Sequence, residues 1–356
     1  MKKVVLSLMV FLVLFVTPFN LNRSEFDNNV KGAISGYEFS LARWQVNLLR
    51  DFINSRETLS LSKEEGVEVV WSYFNGEHEN KRLVELVISR QVEEALSEIG
   101  LAVFPRVHFT ITPMPGYLVI SPIEEIRRKK EIHVIPALTR DKREEIEGWV
   151  DALGVSSIVT NIAGTSTFPI VVAEGTSLRN TIRIVAHEWA HHHLFFRPLG
   201  FRYGLHFLGW KNDAVAAINE AAATIVEMEI EEIVYNRYYS DFEKDIQLAG
   251  IGATFDYRDQ MQLVREKVDQ LLLMGEIEEA ERYMEEQRQY INSYGYDIRK
   301  LNQAYFAFHG SYPSISVNPL TRRVYELREE SDSLRRFLYE IGKVWNAQDL
   351  LEIEIP

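Results

Sequence analysis

The sequence predicts an α+β fold that is predominantly helical and contains a small mixed sheet. Two observations favour this class. Most of the chain carries apolar residues at helical spacing, whereas the central part, 107–172, carries short apolar runs separated by proline and glycine. The composition is that of a folded protein, since 46% of the 356 residues are hydrophobic and 26% are charged. We expect one large unit with a helical annex, or two domains.

Charge and cysteine content exclude several classes of function. The formal net charge is −13, and the acidic residues are dispersed along the chain. Such a surface repels phosphate backbones, so we expect no nucleic-acid partner. The chain contains no cysteine, which excludes disulfides, a thiolate metal site and a thiol nucleophile.

The first residues, 1–21, are typical of a membrane-targeting segment. Lys2 and Lys3 precede the apolar run Val4–Val16, a pattern typical of a signal peptide or a short signal-anchor. No clear small-x-small cleavage site follows, which favours an uncleaved anchor. Lysines at the start keep that end in the cytoplasm, so the rest of the chain is expected outside, at the cell membrane. Cleavage would make the protein secreted, and a buried core helix is the alternative.

Three helices are predicted next, and together they form a helical scaffold at 32–100. The first carries an apolar side that includes Leu41, Trp44 and Leu48. Ser62 and Glu65 form a capping-box pattern that opens the second helix. The third helix is predicted at 80–99.

The period then changes to that of strands. We predict that 107–111 and 117–120, on either side of a proline-rich turn, form a hairpin or two neighbouring strands. The run 164–172 contains Pro169 and is therefore predicted as an edge strand, which could hold an extended peptide by strand addition. The remaining elements of this part are strands at 131–135 and 156–160 and a helix at 139–153.

A possible metal site lies in the helix that follows this run. Ser177 or its neighbour offers an N-cap, and Leu178, Ile182, Val185 and Trp189 form one apolar stripe. The sequence His187-Glu188-x-x-His191 falls on the opposite side. Residues four apart project from nearly the same side of a helix, so both imidazoles can bind one ion. Imidazole suits Zn²⁺, and Glu188 could act as the general base on the attacking water.

Downstream of this helix the sequence predicts a loop and more helices. The glycine-rich and aromatic segment 198–210 is predicted as a loop that folds over a cleft. A long helix is expected from Ala214 to about Tyr235, and 259–294 is predicted as a helical hairpin similar to one tetratricopeptide-type unit. The tail, 318–345, is expected to be mostly helical.

A zinc site of this kind needs a third protein ligand. In metzincins a third histidine stands six residues after the second one, but Arg197 occupies that position here. The downstream candidates are His206, Asp213 and Glu220. On a helical wheel Glu220 shares a side with Glu227 and Glu231, so a solvated acidic face is the alternative.

Asn219-Glu220-x-x-Ala223, after the HExxH helix, is similar to the third-ligand motif of gluzincin metallopeptidases. This resemblance implies His187, His191 and Glu220 as Zn²⁺ ligands, Glu188 as base, and Asn219 as a residue that helps to hold the first helix. It also implies a zincin-like catalytic core at 101–240, followed by an added C-terminal helical region at 241–356. Alanines follow Glu220 where gluzincins often carry Ser-Asp, so an acid that orients a histidine is not placed by the sequence.

Two stretches, 164–220 and 302–312, resemble an uncharacterised group of prokaryotic membrane-associated predicted peptidases. The resemblance implies the enzyme class. Catalysis by such a site also needs a donor for the developing oxyanion. The candidate donors are Tyr203, His206, His309 and Tyr312. His309 is the first choice, and a packing or capping histidine is the alternative.

The sequence thus predicts a metallopeptidase that is tethered to the membrane and acts outside the cytoplasm on a peptide or protein substrate. One alternative is a non-catalytic helical binding or scaffold protein anchored at the membrane. A metal hydrolase of another amide, such as one in the cell wall, would use the same site.

Overall fold

The computed structural model describes residues 24–54, 60–207, 210–245, 255–309 and 318–354. The predicted membrane segment, 1–21, and Tyr312 lie outside these ranges. Within them the chain is an α+β protein and 62% helical, as the sequence predicts, but it has two small three-stranded sheets where one small mixed sheet was predicted. None of the helices in the described part combines the length and the apolarity that a membrane crossing requires.

Four helices form the N-terminal part. The Ser62 capping box is present: its hydroxyl accepts from the Glu65 amide, and the Glu65 carboxylate accepts from the Ser62 amide. The three predicted helices are therefore confirmed, and the structure adds the first helix of the series. The four helices are α1 (Glu25–Ala33), α2 (Leu41–Asn54), α3 (Lys63–Ser72) and α4 (Lys81–Glu98).

The first sheet is antiparallel and has β2 (Gly116–Pro122) at its centre. Its outer strands, β3 (Lys130–Val134) and β4 (Val155–Asn161), agree with the predicted strands. The predicted helix between them is α5 (Arg140–Asp151), which packs against β4.

The second sheet corrects two predictions. It contains β1 (Phe109–Thr112), β5 (Gly164–Thr165) and β6 (Ile170–Ala173) in the order β1-β6-β5. The prediction that the segments now seen as β1 and β2 form a hairpin or neighbouring strands is wrong, because β1 pairs in parallel with β6. The prediction of an edge strand is also wrong for β6, because β6 lies between β1 and β5. Pro169 precedes β6, so its missing N–H does not interrupt the ladder. The edges of the sheet are β1 and the short β5.

The HExxH helix is α6 (Leu178–Phe195). The Ser177 hydroxyl caps it by accepting from the Asn180 amide, and the predicted apolar stripe is buried. The long α8 (Asp213–Tyr238) packs along α6. Between them the predicted loop is instead a helix, α7 (Pro198–Phe207), because proline suits the first helical position. A Cβ at Gly200 would lie 2.2 Å from the Leu194 carbonyl carbon, so glycine lets α7 start directly against α6.

The C-terminal part confirms the predicted helical hairpin and helical tail. The hairpin has its own apolar core, and Arg299 after it forms an ion pair with the buried Glu147 of α5. The tail instead packs into the main core, beside α8. The helices of this part are α9 (Tyr257–Leu273), α10 (Ile277–Asn292), α11 (Gln303–His309), α12 (Pro319–Glu330), α13 (Leu334–Ile341) and α14 (Ala347–Leu351).

The main core joins α4, the second sheet, α6 and α8. The apolar stripe of α6 faces this core, and Trp189 is fully buried there. The histidine side of α6 consequently faces α8 and β5, where the polar side chains of the two helices meet.

Candidate metal centre

The two histidines of the HExxH sequence approach each other closely. His187 and His191 lie one turn apart on α6, and their Nε2 atoms are 3.1 Å apart. Their side chains are 17% and 7% exposed, so the pair is largely buried. The helical spacing thus produces the convergence that the sequence predicts.

Glu220 reaches the same point from α8. Its Oε2 lies 3.4 Å from the Nε2 of His187, and its Oε1 lies 3.7 Å from the Nε2 of His191. The candidate ligand atoms of the three residues lie within 4.8 Å of one another, and they form the group in the described part of the chain that could hold a metal ion. Asp213 is exposed at the start of α8 and does not belong to this group, and the side chain of His206 lies outside the described part.

The spacing of these donors fits zinc. Ligand atoms held at about 2.1 Å from zinc at the corners of a tetrahedron lie about 3.4 Å from one another. The nitrogen–nitrogen distance of 3.1 Å and the distance of 3.4 Å between His187 Nε2 and Glu220 Oε2 are close to this edge length, and the other oxygen of Glu220 lies 3.7 Å from His191 Nε2. Two imidazoles and one carboxylate are also the donor set of a catalytic zinc site that keeps a fourth position for water.

The Nδ1 atom of each histidine forms a hydrogen bond with a side chain of α8. The Nδ1–H of His187 donates to Glu227 Oε2 at 2.7 Å, and the Nδ1–H of His191 donates to Asn219 Oδ1 at 2.5 Å. Both Nε2 atoms are therefore directed towards Glu220. Glu227 is a residue of the site that the sequence reasoning missed. Its distance from Glu220, seven residues or about two helical turns, was the available signal.

The alternative of a solvated acidic face on α8 does not describe these residues. Glu231 is only 3% exposed and forms ion pairs with Arg179 and Arg183 of α6. Glu220 and Glu227 contact the histidines, so all three carboxylates face α6 and join the two helices.

Tyr203 of α7 completes the surroundings of Glu220. Its hydroxyl donates to Glu220 Oε1 at 2.6 Å, and its ring stacks on His191 with centroids 5.4 Å apart. Tyr203 was one of the candidate oxyanion donors predicted from the sequence. The structure places it beside the metal group, with its hydroxyl bound to the third candidate ligand.

The side chain of Glu188, a residue of α6, lies close to the edge strand β5. A Cβ at Gly164 would stand 3.4 Å from Glu188 Oε1 and only 2.2 Å from Ile184 Cγ2. The hydroxyl of Ser166, just after β5, donates to the Glu188 carbonyl at 3.3 Å. Glycine at 164 therefore allows the strand backbone to lie directly against the face of α6 that carries the predicted base.

Burial and neighbouring charges shift the pKa values of this cluster. Burial raises the pKa of Glu188 above its ordinary value of 4.5, against the attraction of the two imidazoles. Burial opposes ionisation of Glu220, but His191 and His187 hold its pKa well below the ordinary value. Burial likewise opposes protonation of His187, but Glu220 and Glu227 raise its pKa well above 6.5. The cluster therefore holds a negatively charged carboxylate against the imidazoles, as a cation site requires.

His309 lies elsewhere. It ends α11, which packs against β2 and β4 of the first sheet, and its ring stands 4.2 Å from that of Tyr305. Burial and the nearby Arg128 lower its pKa. Among the described contacts, none joins His309 to the metal group, so its role as the oxyanion donor stays a prediction.

Comparison with known proteins gave no match for this chain among family models, curated proteins or solved structures.

Proposed function

We propose that the chain is a zinc-dependent peptidase with a zincin-like catalytic core, which hydrolyses peptide bonds with water. The convergence of His187, His191 and Glu220 supports this proposal most strongly, since it gives the donor types and spacings of a catalytic zinc site. A zinc ion bound there would polarise the scissile carbonyl and lower the pKa of water.

Glu188 supplies the proton chemistry in this proposal. The residue follows His187 directly, and its carboxylate interacts electrostatically with both histidines and with Glu220 without being one of the three candidate ligands. Its pKa is raised by burial, which brings it closer to the working pH of a general base. Glu188 would take a proton from the attacking water and pass it to the leaving amine.

The edge strand β5 supports a peptide as the substrate. Its neighbour on one side is β6, and its backbone at Gly164 lies against Ile184 and Glu188. An extended peptide added along this edge would run past the predicted base, with main-chain hydrogen bonds holding its scissile bond in place. The predicted N-terminal membrane segment supports a location at the membrane with the catalytic part outside the cytoplasm.

Metal analysis of the purified full chain tests the proposal. We expect about one zinc ion per chain, lost in His187→Ala and in Glu220→Ala and retained in His78→Ala, which alters an exposed histidine away from the site. Cleavage of a broad peptide library should stop on chelation and return when zinc is added. Full zinc occupancy in both ligand variants would refute the ligand set. Zinc binding through these ligands without cleavage of any peptide would refute the peptidase activity.

A further inference from the structure

Glu227 occupies an unusual position among the acidic residues of α8. Glu229 pairs with Arg328, and Glu231 pairs with Arg179 and Arg183, so both join helices through arginine. Glu227 has a different partner: among the described residues, its carboxylate contacts the Nδ1 of His187 and forms no other hydrogen bond or ion pair.

The imidazole of His187 lies between two carboxylates of one helix. Glu220 and Glu227 are seven residues apart, which places them on the same face of α8 and about 10 Å apart along its axis. Glu220 faces the Nε2 of His187 at 3.4 Å, and Glu227 accepts from its Nδ1 at 2.7 Å. The two carboxylates therefore lie at opposite edges of the ring. Because Nδ1 donates to Glu227, Nε2 is the ring nitrogen that can bind an ion.

We propose that Glu227 is the positioning residue of this site, which is an inference that rests on the zinc site proposed above. By accepting the Nδ1–H, Glu227 fixes the tautomer in which the Nε2 lone pair is free, and it also fixes the orientation of the ring. Its negative charge raises the basicity of the imidazole. Acids of this kind behind a ligating histidine strengthen metal binding by about 10–100-fold. Glu227 thus takes the place of the acid that the alanines after Glu220 do not supply.

His191 offers a built-in comparison. Its Nδ1 is held by the neutral amide oxygen of Asn219, which is fully buried. One histidine of the pair is consequently supported by a charge and the other by a dipole. Because charge-assisted hydrogen bonds are about twice as strong as neutral ones, we expect loss of the Glu227 charge to weaken the site even where an acceptor oxygen remains.

Competition titration with a chromophoric zinc chelator tests this role in the full chain. We expect Glu227→Gln to bind zinc about 10-fold more weakly than the wild type, and Glu227→Ala about 100-fold more weakly. Glu232→Gln removes the same charge from an exposed position of the same helix and should leave the affinity unchanged. The visible absorption of the cobalt-substituted protein should change in the Glu227 variants and not in Glu232→Gln.

The two proposals fail in different ways in this experiment. A wild-type chain that binds no zinc would overturn both. A wild-type chain whose zinc binding depends on His187, combined with unchanged zinc affinity and cobalt absorption in Glu227→Ala, would overturn the role of Glu227 and leave the metal site in place. Circular dichroism of the metal-free variants checks that each has folded.

Discussion

Glu188 differs from Glu220 and Glu227 in that no described hydrogen bond or ion pair joins its carboxylate to a histidine. Burial raises its pKa, whereas the imidazoles hold the pKa of Glu220 well below the ordinary value. One carboxylate of the site is thus suited to remain charged as a ligand, and the other to exchange a proton. Such divergent environments are how a single site separates its structural and its catalytic acids.

Replacement of this base gives the most direct test at the level of one residue. We expect Glu188→Gln to retain its zinc, because the residue is not a ligand in the proposal, and to lose peptide hydrolysis by at least ~100-fold. Zinc content and initial rates on the same preparation measure the two effects together. Glu232→Gln is the matched control, and unchanged turnover in Glu188→Gln would exclude this mechanism.

The sequence predicted the residues of the site unevenly. The convergence of His187 and His191 follows from helical spacing, and Glu188 was assigned from the HExxH pattern, because both signals are local. Glu220 depended on a resemblance, and the structure brings it to the two histidines. The role of Glu227 could not be read from a helical wheel, which gives a shared side but does not tell whether water or another helix faces that side.

At the level of elements, β5 and α6 meet through a glycine. A Cβ at Gly164 would collide with Ile184 Cγ2 at 2.2 Å and would meet the Val171 carbonyl oxygen at 3.2 Å. We expect Gly164→Ala to reduce the free energy of unfolding by about 1–3 kcal/mol, since added volume in a packed contact forces a shift. It should also lower peptide hydrolysis, because the shift moves the edge strand beside Glu188. Denaturant titration and initial rates measure these effects.

A second glycine provides the control for this prediction. Gly148 lies inside α5, and a Cβ there would meet no atom within 4 Å. Gly148→Ala should raise the free energy of unfolding by up to about 1 kcal/mol, because alanine favours a helix more than glycine does. If Gly164→Ala behaves like Gly148→Ala in both measurements, the close approach of β5 to α6 has no energetic or catalytic consequence.

Helices were predicted better than strand pairing, for a physical reason. The Ser62 capping box and the Ser177 cap are local signals that fix where α3 and α6 begin. The partner of a strand is not local: β1 pairs with β6, whose residues follow about sixty positions later. A proline-rich turn between β1 and β2 therefore suggested a hairpin where the chain changes sheets. The segment 198–210 was misjudged because Gly200 and Gly204 serve close helix packing and not a flexible loop.

At the scale of the whole molecule, we expect buried histidines to lower the stability in acid. Burial lowers the pKa of His108 and of His133 from 6.5 to about 4. In the unfolded chain these residues take up a proton near pH 6.5, whereas the folded protein stays unprotonated there until about pH 4. The unfolded state therefore binds more protons between these values, and the free energy of unfolding falls as the pH falls from 6.5 towards 4.

Burial also lowers the pKa of His192 to about 4, so His192 adds to this decline, whereas Asp27 and His187 act outside this window. A hydrogen bond from Lys130 lowers the pKa of Asp27 to about 2. The stability that this carboxylate contributes is therefore lost only below about pH 4. The pKa of His187 is raised, so its contribution is fully present below pH 6.5 and is lost as the pH rises through its folded value. With the metal removed by a chelator, the decline between pH 6.5 and 4.5 consequently belongs mainly to the buried histidines.

His133 is the best place to test this, because it lies in the first sheet, away from the candidate metal ligands. Its Nε2 is 2.8 Å from the Tyr117 hydroxyl, a contact that a glutamine amide can replace. We expect His133→Gln to reduce the pH slope of the free energy of unfolding by up to about 1.4 kcal/mol per unit between pH 6.5 and 4.5. His78→Gln, which alters an exposed histidine, is the control variant. Denaturant titrations at several pH values measure it, and equal slopes in the wild type and His133→Gln would show that burial of this ring does not couple protonation to folding.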